Sequence, residues 1–403
     1  MPVDFTDSAG DAEYRARLRD FLRRHDHELE HSDSEYLSEP GVERIEELRR
    51  TQALLYDGGY VGVTWPREYG GQGEGAIRQA IVTEELARAS IPGLVNHLGI
   101  GMCGPTIMAH GSEDQKQRYL RRLLRADDMW CQLFSEPGSG SDLAASRTKA
   151  VRQDDGTWRV DGQKVWTTFA QYAAYGILLA RTDTDVPKHR GLTMFVIDMS
   201  TPGVTVRPLR QMNGASEFNE VFFDGVVISD AERLGEVGEG WRVALTTLMN
   251  ERVAIGGAGN ELGMRTDSLV ARARERLPHF STGEQVRLRE QLGRVLVENL
   301  AIRYTGYRRL TALARGQTPG PEASAGKLSA VRAAIDGAEL GVRLSGPDAA
   351  FARAADGDWR WHTTQASMPG LAIAGGTDEV LRNIIGERVL GLAPEPTPGK
   401  AAR

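Results

Sequence analysis

The chain has 403 residues, a length that predicts two or three domains. Hydrophobic residues make up 40% of it and charged residues 26%, the balance of a globular protein rather than of a disordered one. The formal net charge is −6, so there is no overall electrostatic attraction to nucleic acid, and we expect no nucleic-acid partner.

Cysteine content and hydropathy indicate the compartment. Cys103 and Cys131 are the only cysteines, too few for a disulfide framework or a cysteine-rich zinc site, and they fit a reducing compartment. No segment approaches the roughly 18 consecutive apolar residues of a membrane span, and the first thirty residues lack the apolar core of a secretion signal. We therefore predict a cytoplasmic protein with no bound metal and no membrane partner.

Residues 1–128 have a helical pattern. Val42, Ile45 and Leu48 repeat at a spacing that places them on one helix face. Ser112 followed three residues later by Gln115 predicts a capping box at the start of another helix. This zone is predicted to be an N-terminal helical domain.

Residues 129–235 are predicted to form a small antiparallel β domain, a barrel or a sandwich. Short segments rich in β-branched and aromatic residues, such as 192–197 and 220–223, are separated by turn sequences. Long helical patterns do not alternate with these segments, which disfavours a doubly wound parallel sheet. The predicted fold class is therefore α+β.

Residues 236–393 return to a helical pattern. The segment 285–313 spaces its apolar residues among charged ones, as a helix of a bundle does. The last residues, 394–403, are rich in proline and are predicted to be a flexible tail.

Two short motifs suggest functions that their surroundings do not support. His27 and His31 match H-E-x-x-H, but the preceding residues are highly charged and no third ligand cluster follows, so we predict a solvated N-terminal helix instead of a zinc site. The segment 99–104 matches G-x-G-x-x-G, but no strand precedes it. Small residues at a close approach of two helices are the better interpretation.

Chemistry is indicated by the sequence FSEPGSGSD, which begins at Phe134. Its glycines and small hydroxyl residues allow backbone amides and hydroxyls to approach a flat, polar ligand. Four further segments accompany it: WPREYGG from Trp65, DGQKVWTT from Asp161, NERVAIGG from Asn250 and GGTDEVLRNIIGERVLG from Gly375. With these five segments the chain resembles the acyl-CoA dehydrogenase family over nearly its whole length.

The resemblance implies a helical domain, a β domain and a C-terminal four-helix bundle. It also implies an enzyme that holds FAD and removes two hydrogens, from Cα and Cβ of an acyl-CoA thioester. A base takes the α-proton, which is acidified because hydrogen bonds to the thioester carbonyl stabilise the developing enolate. Electrons are expected to pass to an electron-transfer flavoprotein.

The resemblance also assigns cofactor contacts. Phe134 and Ser135 are expected to contact the flavin ring, Trp166 and Thr167 to lie beside it, and Thr168 to face the N5 region. Further expected cofactor residues are Gly140, Ser141, Thr377 and Glu379. Ser141 is also a candidate for the substrate's pantetheine, and Glu379 stands where many relatives carry Gln.

The resemblance also indicates a candidate for the catalytic base. Many relatives carry a Glu at the position of Gly375, where this chain has no carboxylate. Isovaleryl- and long-chain acyl-CoA dehydrogenases instead carry the base on a C-terminal-domain helix just before an Arg, which corresponds here to Glu251 and Arg252. Glu251 is therefore the candidate base, with Arg252 and Gly375 expected near the substrate. The alternative is an ordinary helix carboxylate paired with an arginine.

Two family segments are missing. No R-x-x-F-G segment follows Gly259, and the region 344–350 lacks the usual Q-x-x-G-G-x-G. Because relatives use these segments at a subunit interface, we expect either a homotetramer or an α2β2 assembly with a complementary partner. Two other functions stay open: dehydrogenation of an acyl group tethered to a carrier protein, and a non-catalytic subunit that completes a partner's flavin site.

Overall fold

The computed structural model describes residues 7–31, 42–257, 266–314, 320–321, 323–347 and 359–394. They form two compact units. The first consists of the described residues up to 211 and of 215–250, and the second of 212–214 and the described residues from 251 onward. The sequence predicted three domains with boundaries near 128 and 235, and that division stays a prediction.

The first unit begins with helices. Their bounds are α1 Ala9–Arg24, α2 Val42–Asp57, α3 Ala76–Arg88, α4 Gly104–His110 and α5 Glu113–Arg125. The predicted capping box is present, since Ser112 Oγ accepts from the Gln115 amide at 3.2 Å and Gln115 Oε1 accepts from the Ser112 amide at 2.9 Å. Ile45 and Leu48 are buried on one face of α2, as their spacing predicted.

The structure around the H-E-x-x-H and G-x-G-x-x-G matches differs from the structure that the sequence predicted there. Helix α1 ends at Arg24, so His27 and His31 lie in the turn that follows it and not on a helix. The prediction of a solvated helix there is wrong in its secondary structure, because the helical pattern stops before the histidines. The segment Gly99–Cys103 forms a π-helical turn that leads into α4, and a Cβ on Gly104 would lie 2.1 Å from the Trp65 ring. The close approach is thus to an indole ring.

The β domain is one eight-stranded sheet in the order β6-β7-β3-β2-β4-β5-β8, with β1 paired to β4. The strands are β1 Trp130–Leu133, β2 Lys149–Arg152, β3 Trp158–Thr168, β4 Tyr175–Arg181, β5 Leu192–Asp198, β6 Val204–Leu209, β7 Phe218–Ile228 and β8 Arg233–Leu234. The pairs β1–β4 and β2–β4 are parallel, whereas the other pairs are antiparallel as predicted. A parallel pair requires a long crossover, and residues 134–174 supply it between β1 and β4.

Helix α6, Gly240–Gly257, starts in the first unit and ends in the second. The second unit also contains α7 Thr266–Arg276, α8 Thr282–Ala314, α9 Ala323–Leu344, α10 Trp359–Ile373 and α11 Asp378–Arg388. Helix α8 confirms the long helix predicted over 285–313. Small residues let α9 and α10 approach closely, since a Cβ on Gly341 would lie 1.9 Å from the fully buried Trp361 ring. No described helix is both long enough and apolar enough to cross a bilayer.

Candidate active site

The first part of the site is the loop that follows β1. Phe134 is buried at its start, and Glu136 and Ser139 exchange two backbone hydrogen bonds of 2.9 and 3.0 Å. Gly140 and Ser141 then lie exposed, and a Cβ on Gly140 would meet no atom within 4 Å. The loop therefore has a fixed beginning and an open, small-residue end, which suits the close approach of a ligand.

A buried lysine ties this loop to β3. The Lys164 side chain is 0% exposed, and its Nζ donates to the Phe134 carbonyl at 2.9 Å and to Glu136 Oε1 at 2.8 Å. The Val165 amide, next along β3, donates to the Ser135 carbonyl at 2.9 Å. Two consecutive residues of β3 thus hold Phe134, Ser135 and Glu136 in place.

The Lys164–Glu136 pair has unusual electrostatics. Burial lowers the pKa of Lys164 to about 8, although the adjacent Glu136 opposes that shift. Burial disfavours the charge on Glu136 too, but the Lys164 ammonium and the amides of Arg147 and Thr148 outweigh it and hold the Glu136 pKa below its ordinary value. Those amides donate to the carboxylate at 2.7 and 2.9 Å, so the pair is satisfied despite its burial.

The end of β3 presents the predicted flavin residues. A β-bulge interrupts the pairing of β3 with β7 between Lys164 and Thr167, so one extra residue is inserted into β3. Trp166 lies in this bulge with a φ of +60° and an indole side chain that is 60% exposed. Thr168 is half-buried at the end of the strand. A left-handed tryptophan is strained, and such strain concentrates at functional sites.

These residues fit a flavin. Thr167 is buried, and among the described residues its Oγ1 has no hydrogen-bond partner. Its chain neighbours are the exposed Trp166 and the half-buried Thr168, and two residues before it the Val165 amide donates to the Ser135 carbonyl at 2.9 Å. A flat aromatic surface next to hydroxyl and amide groups is what a polar heteroaromatic ring system requires. The structure therefore holds Phe134 and Ser135 against Lys164 and Val165, next along β3 to Trp166–Thr168, and their contact with a flavin stays a prediction.

A shallow cavity of about 310 Å³ adjoins the loop. It is lined by Glu136, Pro137, Gly138, Arg147, Thr148 and Gln163, among others. Ser141 is not among its lining residues, so the cavity does not test the predicted pantetheine contact.

The second unit holds the remaining predicted residues. Gly375 and Gly376 form a turn with φ of +64° and +98°, between α10 and α11. Thr377 caps α11, because its Oγ1 accepts from the Val380 amide at 3.3 Å, and the Glu379 side chain is 79% exposed. Glu251 is half-buried on α6. The Arg252 side chain, like residues 258–265 and 348–358, lies outside the described residues.

A second buried lysine lies beside this turn. Lys327 on α9 is 0% exposed, and its Nζ donates to the carbonyls of Ala372 and Gly376 at 3.2 and 3.1 Å. Neither Lys164 nor Lys327 is among the site residues that the sequence predicts. The available signal was a lysine within an otherwise apolar or small-residue segment, which matters only once burial is known.

Comparison with known proteins identifies the family. Family models match three successive parts of the chain: "Acyl-CoA dehydrogenase, N-terminal domain" at 10–127, the middle domain at 131–226 and the C-terminal domain at 238–390. The chain belongs to the acyl-CoA dehydrogenase family. This confirms the predicted family and its fold, and the members of this family are flavin-dependent oxidoreductases.

Individual relatives agree with this acyl-CoA dehydrogenase assignment. Acyl-CoA dehydrogenase IpdE1 of Mycobacterium tuberculosis is 34% identical over 375 residues, 89% of this chain and 92% of the relative. Acyl-CoA dehydrogenase FadE34 of the same organism is 40% identical over 346 residues, 85% of this chain. The chain spans only 46% of the length of FadE34.

Two solved structures are similar to this chain over nearly its whole length. A structure described as the Tcur3481-Tcur3483 steroid ACAD has a TM-score of 0.82 at 28% identity, with 98% of this chain and 100% of that chain covered. The ChsE4-ChsE5 complex from Mycobacterium tuberculosis has a TM-score of 0.77 at 30% identity, with 98% and 100% covered.

Proposed function

We propose that this chain is an FAD-dependent dehydrogenase that oxidises the Cα–Cβ bond of an acyl-CoA thioester to a double bond. The observation that carries the proposal is the pair of ties from Lys164 and Val165, which fix the Phe134–Glu136 loop beside Trp166 and Thr168. A rigid scaffold of this kind holds a flat cofactor in one orientation.

When bound, FAD would supply the acceptor for the hydride that leaves Cβ. The chain's own residues would bind the cofactor and the substrate and take up the α-proton. Phe134, Ser135, Gly140, Ser141 and Trp166–Thr168 hold the flavin and thioester, with Thr377 and Glu379 toward the other parts of the cofactor.

Glu251 is the proposed base that takes the α-proton. No carboxylate stands at Gly375, and the positive φ there suits glycine. Arg252 and Gly375 are proposed to lie near the substrate. The proton moves to the Glu251 carboxylate as the electron pair of the Cα–H bond delocalises onto the thioester carbonyl, where hydrogen-bond donors stabilise the charge.

Anaerobic titration of the flavin absorbance tests the activity. The purified protein is expected to be yellow and to lose its flavin absorbance when an accepted acyl-CoA is added. The acyl-CoA thioesters to be titrated carry short, branched, long and steroid-side-chain acyl groups. The steroid-side-chain thioester is tested first because a similar solved structure is described as a steroid ACAD. Bleaching by an acyl carrier protein conjugate alone favours the carrier-protein alternative, and a colourless protein favours a non-catalytic subunit.

We also propose an oligomer, either a homotetramer or an α2β2 assembly, with an electron-transfer flavoprotein as the electron acceptor. Helix α8 has two apolar faces. Leu288, Val295 and Ile302 are buried on one, while on the opposite face the exposed apolar residues are Val286, Val297, Leu300 and Tyr304. An apolar stripe of this kind on a helix is typical of a surface covered by another chain.

The kind of oligomer follows from a simple measurement. Two neighbouring structures are described by paired names, Tcur3481-Tcur3483 and ChsE4-ChsE5. We therefore compare the mass and flavin content of the chain produced alone with those of the chain co-produced with a homologous subunit. A flavin-saturated tetramer of the chain alone supports the homotetramer, flavin gained only on co-production supports α2β2, and a flavin-saturated monomer overturns both.

A further inference from the structure

The Lys327 ammonium is enclosed by two helix ends. Ala372 lies in the last turn of α10, whose free carbonyls attract cations, and Asp378 lies in the first turn of α11, where carboxylates are favoured. Lys327 Nζ is 3.2 Å from the Ala372 carbonyl oxygen and 3.4 Å from Asp378 Oδ1. One side chain of α9 therefore joins the C-terminus of α10 to the N-terminus of α11.

The turn between those helix ends is held by the same ammonium. Gly376 has a φ of +98°, and its carbonyl accepts from Lys327 Nζ at 3.1 Å. A lysine that is 0% exposed is costly to bury, so its hydrogen bonds and charge partners must offset the loss of hydration. This cost is hard to explain for a group whose only task is to fill space, because an apolar residue would fill it more favourably.

The charges around Lys327 include the proposed base. Burial lowers the pKa of Lys327, while the negative charges of Asp378, Glu251 and Glu379, in that order, oppose the shift. Glu251 on α6 is thus near enough to interact electrostatically with the ammonium. Among the described residues, Arg382 on α11 is a second cation of this cluster; it is 63% exposed, and its guanidinium lies 3.7 Å from Asp378 Oδ2 and 4.0 Å from Glu379 Oε1.

We propose that Lys327 is a positioning residue for the reaction: its buried ammonium fixes the Gly375–Gly376 turn and keeps the nearby Glu251 carboxylate in its charged, proton-accepting form. The inference rests on the proposed role of Glu251. The electrostatic argument is reciprocal, because a cation that is stabilised by a carboxylate stabilises that carboxylate equally. Loss of the ammonium is therefore expected to make protonation of the Glu251 carboxylate easier.

The test is the pH dependence of anaerobic, single-turnover flavin reduction by the FAD-loaded protein, with an acyl-CoA that the wild type accepts. Lys327→Gln keeps a hydrogen-bond donor but removes the charge. The pH at which the rate of flavin reduction falls to half its maximum on the acid side, the acid-side midpoint, is expected to rise by roughly 0.5 to 1 pH unit. Lys327→Arg keeps the charge, so its midpoint is expected to stay within about 0.2 pH unit of wild type even if the maximal rate falls. Arg382→Gln, the exposed control, is expected to leave the midpoint unchanged because solvent screens its charge.

One result would overturn the proposal: an unchanged midpoint in Lys327→Gln with the rate lowered by the same factor at every pH. That result would mean that Lys327 supports the fold but does not affect the charge of Glu251. If Lys327→Gln does not fold, Asp378→Asn replaces it. Removing that negative charge is expected to move the midpoint downward, and a midpoint that stays or rises contradicts the proposal.

A second measurement separates this inference from the proposed function. Melting temperatures of the wild type, Lys327→Gln, Glu251→Gln and the double variant form a double-mutant cycle that requires no activity. We expect the loss caused by Lys327→Gln to be smaller in the Glu251→Gln background, and strictly additive losses would refute the interaction. If Glu251→Gln reduces its flavin as fast as the wild type, the base assignment fails, and the cycle still decides whether Lys327 and Glu251 interact.

Discussion

The Lys164 ammonium lies 2.8 Å from the Glu136 carboxylate, and their side chains are 0% and 8% exposed. The pair connects the strand that ends at Thr168 to the loop that starts at Phe134. Its ionic bond and the Phe134 carbonyl bond hold both predicted flavin segments together, so the stability of the pair and the binding of the cofactor are expected to change together.

Replacement of Lys164 tests this coupling. Lys164→Met leaves Glu136 buried without its cation, and removal of one member of a buried pair costs about 3 to 5 kcal/mol. We expect a large fall in melting temperature and a loss of FAD from the purified protein. Lys188→Met is the control, because it removes a lysine from an exposed pair with Asp142 and is expected to cost less than about 1 kcal/mol. Equal effects of the two variants would contradict a special role for Lys164.

The decline of the melting temperature at acid pH tests how much the ionised Glu136 carboxylate contributes to stability. Its pKa in the folded chain lies below the ordinary value of 4.5, so the unfolded chain takes up a proton at higher pH than the folded chain does. This stabilisation is present above pH 4.5 and is lost as the pH falls through the lower folded pKa. Glu136→Gln is therefore expected to lower the melting temperature at neutral pH and to flatten its decline below pH 4.5. Asp142→Asn, the exposed control, should follow the wild-type curve, and an equally steep decline in Glu136→Gln would contradict the prediction.

Replacement of Trp166 by glycine is expected to lower FAD affinity without lowering the stability of the folded chain. Its φ of +60° costs roughly 1 to 2 kcal/mol for a residue with a Cβ, and glycine relieves that strain. We expect Trp166→Gly to lose FAD affinity while the cofactor-free protein keeps or gains melting temperature. Trp166→Phe retains an aromatic ring and should keep more FAD, measured by absorbance after gel filtration. Full FAD content in Trp166→Gly would remove Trp166 from the flavin site.

Glu251→Gln tests the proposed base. The amide keeps the size of the side chain but cannot accept the α-proton, and a general base contributes about 10²- to 10⁴-fold in rate. FAD and acyl-CoA binding are expected to persist, while single-turnover flavin reduction falls by at least about 10²-fold. Glu239→Gln, an exposed carboxylate paired with Arg242 near the start of the same helix, should reduce its flavin normally. Wild-type bleaching by Glu251→Gln would require a base elsewhere.

The exposed face of α8 is expected to be an interface. Leu300→Glu and Tyr304→Glu place charges on residues that are 45% and 51% exposed in the single chain, so folding should persist while a buried contact between chains is lost. Light scattering after gel filtration should show smaller particles. Val227→Glu is the matched control, because Val227 is 55% exposed on β7. An unchanged mass in both α8 variants would exclude this face.

Sequence alone determined the order of helical, β and helical zones and the family, because periodicity and contiguous motifs are local properties of the chain. The capping box at Ser112 and the long helix α8 were predictable for the same reason. The end of α1 before His27 was not, since the charged segment carries no clear stop signal. The parallel pairing of β1 with β4 was also hidden, because strands distant in sequence choose their partners through packing.

Tertiary structure decided which charged residues are buried. Lys164 and Lys327 look like ordinary lysines in the printed sequence, yet both are 0% exposed and donate to backbone carbonyls of the glycine-rich segments. The left-handed Trp166 likewise depends on a bulge that only the pairing of β3 with β7 creates. Burial and strand register depend on contacts between residues far apart in the chain, so the sequence identified the motifs and the fold supplied the groups that hold them in place.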